Sequence, residues 1–445
     1  MMEKQNFMRE KPVLPLLISM AVPMMISMLI QSLYNIVDGI FVAQIGEKAM
    51  TAVSLVYPLQ NLVLSVGVGF GVGISSAIAI NLGAGNQKAA SEAASQGVLF
   101  SVIHGLLFIL LGAFGAKPFL QMFTSDPEVL EMGCTYAWIV LSFSVVVTVQ
   151  IAMEKICQAM GKMISTMLFM AAGSVVNIIL DPIMIFGLLG FPAMGVAGAA
   201  VATVIGQICS LSLYLIAYFR GKFGLKLSAA AMRPQRDMVQ RLYMVGLPAT
   251  LSIALPSLMI SILNGILAAW SEVYIVVLGI YFKMQSFIYL PASGIVQGMR
   301  PIISYNYGAG EKTRLRQVFR WSNILTGSIM LLGTLLFLLF PQVILSIFIA
   351  SPATMETGIP ALRIICLGFL VSTISVITSG ALEALGQGGS SLLLSLTRYL
   401  LVIAPAAWIG SLLLGPTGVW IAFPLAEGIA ALLSVFLLRK LDCLR

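Results

Sequence analysis

Charge is what this chain is short of. Asp, Glu, Lys and Arg make up 9% of its 445 residues, against roughly 25% in ordinary soluble domains. So few charges cannot cover a water-soluble surface, because the remaining apolar area would form contiguous patches that associate. Histidine is scarcer still. His104 is the only one, so a His-based metal site cannot be assembled; no Ser/His/Asp triad is visible either, and enzymatic chemistry has almost nothing to stand on. His104 is read as a lone residue on an apolar helix. The five cysteines (Cys134, Cys157, Cys209, Cys366, Cys443) are odd in number and lack CxxC spacing, which argues against a disulfide framework or a thiolate metal site. They are expected to pack as small apolar residues. A nucleotide-hydrolysis motif is missing too. The run Gly67, Gly69, Gly71, Gly73 lacks the Lys-Ser/Thr of a phosphate loop and falls mid-span, where glycines let helices approach closely. Any pumping must therefore draw on an ion gradient.

What is present is apolar length. Hydrophobic residues make up 59% of the chain, and runs of about 20 residues, enough to cross ~30 Å of hydrocarbon, predict an all-α polytopic membrane protein with twelve spans. The first six are placed at about 13–42, 50–80, 95–116, 132–154, 162–186 and 195–219. The second six are placed at about 240–268, 273–303, 319–340, 358–381, 389–413 and 417–438. Met1 to Lys11 is polar and basic, and the run after it is long enough to span, so it is read as span 1 and not as a cleavable signal. Residues 117–130 are expected to form a short amphipathic turn on the membrane surface.

The basic residues set the orientation. With the N-terminus inside, inner loops and termini hold nineteen Lys and Arg, including Arg220, Lys226, Arg233, Arg236 and Arg241, while outer loops hold Lys48, Lys117 and Arg363. That asymmetry predicts cytoplasmic termini in a plasma (inner) membrane, and an even number of crossings. It also explains the net charge of +8 without nucleic acid, because the charges follow loop parity and not one face.

The twelve spans are two copies of six. Asn81-Leu82-Gly83-Ala84-Gly85 returns as Asn306-Tyr307-Gly308-Ala309-Gly310, 306 − 81 = 225 residues later. Pro23 returns as Pro248, Gln60 as Gln285, and Ala159-Met160-Gly161 as Ala384-Leu385-Gly386 at the same shift. Pro182 and Gly195-Val196 return as Pro405 and Gly418-Val419, shifted by 223 after a two-residue deletion. The expected division is a lobe over 1–220, a cytoplasmic linker over 221–240 and a lobe over 241–445. Duplicated membrane units are how many secondary transporters build alternating gates.

Ionisable residues within the spans carry the functional signal, since a carboxylate at mid-depth costs about 2.5–3.5 kcal/mol on insertion scales. Asp38 lies toward the outer end of span 1, with Tyr34 and Asn35 four and three residues earlier on the same face. Asp181 lies toward the outer end of span 5, with Asn177 one turn before it and Pro182 directly after. That proline leaves the carbonyl of Ile178 free for a ligand or water. Two carboxylates at similar depth suit proton uptake and release. With Asn177 and a hydroxyl such as Thr203 they equally suit Na⁺ coordination, with Na⁺ the only metal considered. The plain structural alternative is that Asp181 caps its helix and Asp38 bonds backbone.

The second copy has Leu263 where Asp38 would be, and Ala404 before Pro405. Its own charges are Lys283, Glu383, Arg398 and Glu427. Lys283 and Gln285 are the counterparts of Pro58 and Gln60, so they face the substrate path if the copies are alike. A mutual salt bridge among these four charges that only holds helices is the competing reading. Arg300 and Glu154, near inner helix ends, are expected to snorkel.

Leu33-Tyr34-Asn35-Ile36-Val37-Asp38, the two Asn-x-Gly-Ala-Gly ends, Asn177 with Asp181, Gln158-Ala159-Met160-Gly161, and Pro301 to Ala309 together resemble the multidrug and toxic compound extrusion (MATE) transporters. Span 7 (240–268) contains no acidic residue, so the resemblance is to the DinF-like branch, with its coupling aspartate on span 1. The resemblance implies two pseudo-symmetric six-helix lobes around a central cavity. It implies multidrug efflux of organic cations or amphipathic compounds by antiport with H⁺ or Na⁺, with no other cofactor. By the same resemblance Asp38 is the ion-coupling residue, with Asp181, Asn177 and Thr203 around it. Substrate contacts are expected from Tyr34, Asn35, Gln60, Lys283 and Gln285. Small amphipathic or cationic substrates and membrane lipid are the expected partners, with no obligate protein partner. The alternative reading is a lipid-linked precursor flippase or narrow metabolite exporter of the same superfamily.

Overall fold

A computed structural model describes residues 7–221, 223–348, 351–441 and 443. Among these the chain is helical throughout its length, with short connections. The first copy contains α1 (Phe7–Glu10), α2 (Val13–Ile45), α3 (Glu47–Gly83), α4 (Gln87–Gln121), α5 (Pro127–Ser142), α6 (Ser144–Ala159), α7 (Met163–Phe186) and α8 (Val196–Phe219). The second contains α9 (Arg236–Ala268), α10 (Glu272–Gly308), α11 (Lys312–Leu339), α12 (Pro341–Ser346), α13 (Pro352–Ile365) and α14 (Leu367–Ala384). It ends with α15 (Gly388–Leu396), α16 (Ile403–Leu414) and α17 (Pro416–Arg439). Eleven helical stretches are long and apolar enough to cross a membrane, and α5 with α6, bent by 47° at Phe143, makes a twelfth. Each expected span overlaps one of these, although span 10, expected at 358–381, begins within α13 and its membrane-length helix is α14. Span 11 is interrupted by a π-turn at Thr397–Leu401 between α15 and α16.

The surface turn expected at 117–130 is smaller than that. Lys117–Gln121 continue α4 and Pro127 already begins α5. Asp126 caps α5, its carboxylate accepting the Glu128 N–H at 2.9 Å, and Lys48 lies 3.1 Å from the same carboxyl group.

The chain folds into two compact units whose boundaries differ from the expected 220/241 division. Among the described residues, Ile26–Thr250 forms one, and Asn6–Met25 with Leu251–Arg445 forms the other. Each copy therefore gives the first half of its first span to the other unit. The break points obey the repeat, since 25 + 225 = 250, and each lies two residues past the repeated proline, Pro23 or Pro248. Close backbone approach explains the exchange. In the first unit, a Cβ on Gly69 would lie 2.6 Å from Thr250 Cα, and one on Gly73 would lie 2.3 Å from the Leu242 carbonyl. In the second, a Cβ on Gly294 would lie 2.9 Å from Met25 Cα, and one on Gly298 would lie 2.7 Å from Ala21 Cα. Gly69 and Gly73 correspond to Gly294 and Gly298 at the 225 shift, so one docking surface is used twice.

Polar bonds hold the exchanged segments. His104 is not solitary: its ring nitrogen meets the Tyr243 hydroxyl at 2.8 Å within a cluster containing Phe70 and Phe100. In the second unit, Asn306 and Arg314 donate to the Met8 carbonyl at 3.1 and 3.0 Å, and Arg9 pairs with Glu311 at 2.6 Å.

Candidate ion-coupling and substrate site

The site lies within the first unit. The α7–α8 hairpin supplies its floor, because Gly206 lets α8 sit against Asn177: a Cβ there would be 3.1 Å from Asn177 Cβ and 2.7 Å from the Gly173 carbonyl. Asn177 and Asp181, one turn apart on α7, are 2% and 0% exposed. Asn177 Nδ2 donates to Asp181 Oδ1 and to Thr203 Oγ1, both at 3.4 Å, and the Thr203 hydroxyl donates to the Ala199 carbonyl at 3.0 Å. From α2, Asp38 meets Asp181 side chain to side chain, and the Tyr34 hydroxyl meets Thr203. The plain alternative of a helix cap and a backbone bond therefore does not describe the pair.

A cavity of about 440 Å³ opens in front of this group, lined by Tyr34, Asn35, Asp38, Gln60, Tyr136 and Thr203 among others. Gln60 Nε2 donates to the Tyr136 hydroxyl at 3.4 Å. None of the lining residues is Lys or Arg. Within the protein, Asp38 Oδ1, Asp181 Oδ2 and Asn177 Oδ1 have no hydrogen-bond partner among the described residues. Buried oxygens are almost always paired, so three orphans on neighbouring side chains offer acceptors for a proton or a small cation. Two carboxylates in contact inside an apolar bundle are relieved by a shared proton or a bound cation.

The structure thus gathers seven of the sequence-selected residues, Tyr34, Asn35, Asp38, Gln60, Asn177, Asp181 and Thr203. It does not place Lys283 and Gln285 in this lining; both belong to the second unit, where the Lys283 ammonium stands 5.8 Å from the centre of the Phe348 ring. The expected four-charge cluster resolves into two separate pairs without Lys283. Arg398 bonds Glu427 at 2.7 Å and the Tyr289 hydroxyl at 3.2 Å, and Arg300 pairs with Glu383. Arg300 therefore does not snorkel. Nor does Glu154, which is 7% exposed and accepts from Lys155 at 3.1 Å and Gln158 at 2.8 Å. Sequence reasoning missed Tyr136, whose only signal is one more hydroxyl on a span that already carries Ser142, Ser144 and Thr148, and Ser144 and Gln207, which also line the cavity.

A twelve-span helical scaffold with a carboxylate, Asp38, in the wall of a cavity within one unit is the architecture of a membrane transporter. The MatE family model matches residues 23–183 and 248–409, one match per copy, and the chain belongs to that family. A multidrug export protein MepA from Staphylococcus aureus (strain bovine RF122 / ET3-1) is 26% identical over 441 residues, covering 98% of this chain and 96% of that protein. Among solved structures, an outward-facing multidrug resistance MATE family transporter of the MOP superfamily is 25% identical with a TM-score of 0.90, covering 98% of this chain and 97% of that one. A crystal structure of MATE in the bent conformation is 26% identical, also with a TM-score of 0.90 over 98% and 97% of the two chains.

Proposed function

We propose that the protein exports organic cations and amphipathic compounds across the plasma membrane by antiport with H⁺ or Na⁺, with Asp38 as the coupling residue and both termini cytoplasmic. The observation that carries this is the Asp38 carboxylate, beside Asp181 and backed by Asn177 and Thr203, in the wall of a cavity whose described lining lacks Lys and Arg. Such a cavity suits a cation. It disfavours the anionic headgroup a precursor flippase would carry. The relatives named for multidrug export support the same class of substrate. The Tyr34 ring beside Asp38 offers a lipophilic cation a π-face next to a carboxylate, and Asn35, Gln60 and Tyr136 add hydrogen-bonding groups. Lys283 and Gln285 are proposed as contacts from the second unit, on the strength of their repeat counterparts Pro58 and Gln60.

In this reading, a proton or Na⁺ arriving at Asp38 neutralises the pocket, α2 bends at Pro23 and the cation is released outward. One elementary charge moved through 100 mV is worth about 2.3 kcal/mol, enough for roughly fifty-fold accumulation. The DinF-like assignment is kept as part of the proposal. α9 carries Asp237 only in its first turn, before the apolar stretch begins.

The test uses purified protein in liposomes, following ethidium or tetraphenylphosphonium under an imposed pH gradient and then a sodium gradient. Movement driven by one gradient and lost in Asp38→Asn identifies the coupled antiporter and its ion. Full retention of driven export in Asp38→Asn would remove Asp38 from the mechanism.

A further inference from the structure

A second cavity, of about 720 Å³, lies in the first unit between the start of α4 and the segment joining the two copies. Its polar wall carries Lys88 and Ser91 from the first turn of α4 and Lys226 and Ser228 from the joining segment, with Glu92 adding one carboxylate. Its other wall is apolar, with Leu225, Ala230 and Ala231. The cavity is constructed by bonds from both sides: Gln87 Nε2 donates to the Gly224 carbonyl at 3.0 Å, and the Ser228 N–H donates to Ser95 Oγ at 3.2 Å. Behind the lining, the fully buried Gln96 carboxamide accepts the N–H of the lining residue Gln235 at 3.4 Å and so fixes that wall. Gln96 is 0% exposed, and its Nε2 donor has no partner among the described residues. Asn86 caps α4 by accepting the Ala89 N–H at 3.0 Å, and the start of this 35-residue helix brings the positive end of its dipole to the same wall.

We propose that this cavity binds a phosphodiester headgroup, carried by an anionic glycerophospholipid of the phosphatidylglycerol type. Among the described lining residues, two ammoniums against one carboxylate leave one net positive charge, which matches the single charge of a diester better than the nearly double charge of a monoester or free phosphate. The Ser91 and Ser228 hydroxyls donate to phosphate oxygens, and Glu92 accepts from hydroxyls at the headgroup's end. The apolar wall has a use only for a ligand with a hydrocarbon part, so it favours lipid over a soluble anion. The inference shares with the proposed orientation the placement of this segment at the cytoplasmic leaflet, where anionic lipid attracts basic juxtamembrane segments. Nothing in it depends on the Asp38 chemistry.

The test places the full chain in nanodiscs of phosphatidylglycerol or of phosphatidylcholine, whose two leaflets are alike, so orientation does not enter. Thermal denaturation and native mass spectrometry of retained lipid are the readouts. The expected result is a higher melting temperature and tightly retained lipid in phosphatidylglycerol, both lost in Lys88→Gln/Lys226→Gln and kept in Lys48→Gln, whose lysine lies outside this wall. Ser91→Ala, a milder change, should weaken retention and report on the site if the double variant folds poorly. Equal stabilisation by inorganic phosphate in phosphatidylcholine discs would replace lipid by a soluble anion as the ligand. Equal lipid retention in wild type and both variants would overturn the site.

Discussion

The exchange of half-spans makes a prediction whose sign is set by geometry. On α10, Gly298 faces the exchanged segment so closely that a Cβ would lie 2.7 Å from Ala21 Cα and N, whereas Gly279 on the same helix has nothing within 4 Å. Ala is better than Gly inside a helix by up to about 1 kcal/mol, so Gly279→Ala should be neutral or stabilising. Gly298→Ala gains the same propensity. It must also push the α2 backbone away by roughly 1 Å to restore the ~3.7 Å of unstrained carbon contacts. Overpacking of that kind costs about 1–3 kcal/mol, and here the clashing atoms are backbone, which cannot rotate aside. The net expectation is a loss of up to about 2 kcal/mol for Gly298→Ala against a gain for Gly279→Ala. Gly73→Ala should mirror the loss in the other unit, where the Cβ would meet the Leu242 carbonyl at 2.3 Å. Thermal melting in detergent, read by fluorescence-detected size exclusion, checks it. If Gly298→Ala and Gly279→Ala shift the melting point in the same direction, the exchanged docking described above is wrong.

The Arg398–Glu427 pair, with Arg398 8% exposed, predicts that Glu427→Gln costs about 3–5 kcal/mol by stranding a buried guanidinium. The double change Arg398→Met/Glu427→Leu should recover most of that in the same melting assay, and no recovery would show that the two groups act separately. Outside the spans, Lys48 and then the Glu128 amide hold the Asp126 carboxyl below the usual carboxylate range. That contact therefore stabilises the fold above the ordinary carboxylate pKa of about 4 and fades as pH falls through the lower folded value. Asp126→Asn should lose this acid-side dependence, and an unchanged pH profile of melting would dismiss it. Leu263 occupies the repeat position of Asp38 and is 0% exposed in an apolar core. Leu263→Asp should destabilise by at least the ~2.5–3.5 kcal/mol insertion cost of a carboxylate, and a stable variant with enhanced ion-driven transport would contradict that.

The spans were legible because hydrocarbon imposes a length, and the repeat was legible because identical residues recur at a fixed shift. Neither depends on which helix touches which. The bend at Phe143 had no proline or glycine to announce it. The helix exchange left a signal, glycines at 69 and 73 matched by 294 and 298, but composition alone could not say which backbone each admits. Ion-pair partners failed for a related reason. Arg398 could reach Glu427 and not Lys283 only once the rotation of α17 and the π-turn at Thr397–Leu401 were known. Asp38 and Asp181 came together as expected because depth and parity constrain them to the same height. Tyr136 joined them unannounced because its span carries several hydroxyls, Ser142, Ser144 and Thr148 among them, and nothing in the sequence singles out the one that borders a cavity.

The two copies solve the same packing problem in opposite ways. In the first unit, Asp38, Tyr136 and Thr203 border a cavity. Their repeat positions in the second are Leu263, Ala361 and Ala426, which are 0%, 0% and 1% exposed within one continuous aromatic-rich core around Tyr281, Phe337 and Phe369. The copy that carries the carboxylates is hollow at these positions, and the copy without them is filled. Both follow from one cost. A carboxylate can stay at this depth only beside a partner or space for a proton, ion or water, and once it is gone the space has no tenant and apolar side chains take it. The second unit retains charge, but as a closed pair: Arg398 and Glu427 satisfy each other, with Tyr289 taking a further guanidinium N–H, which leaves little for an exchanging ion to displace. Duplication thus produced one unit with open acceptors and one whose charges are internally neutralised. Ion coupling at a single unit is what that asymmetry supports.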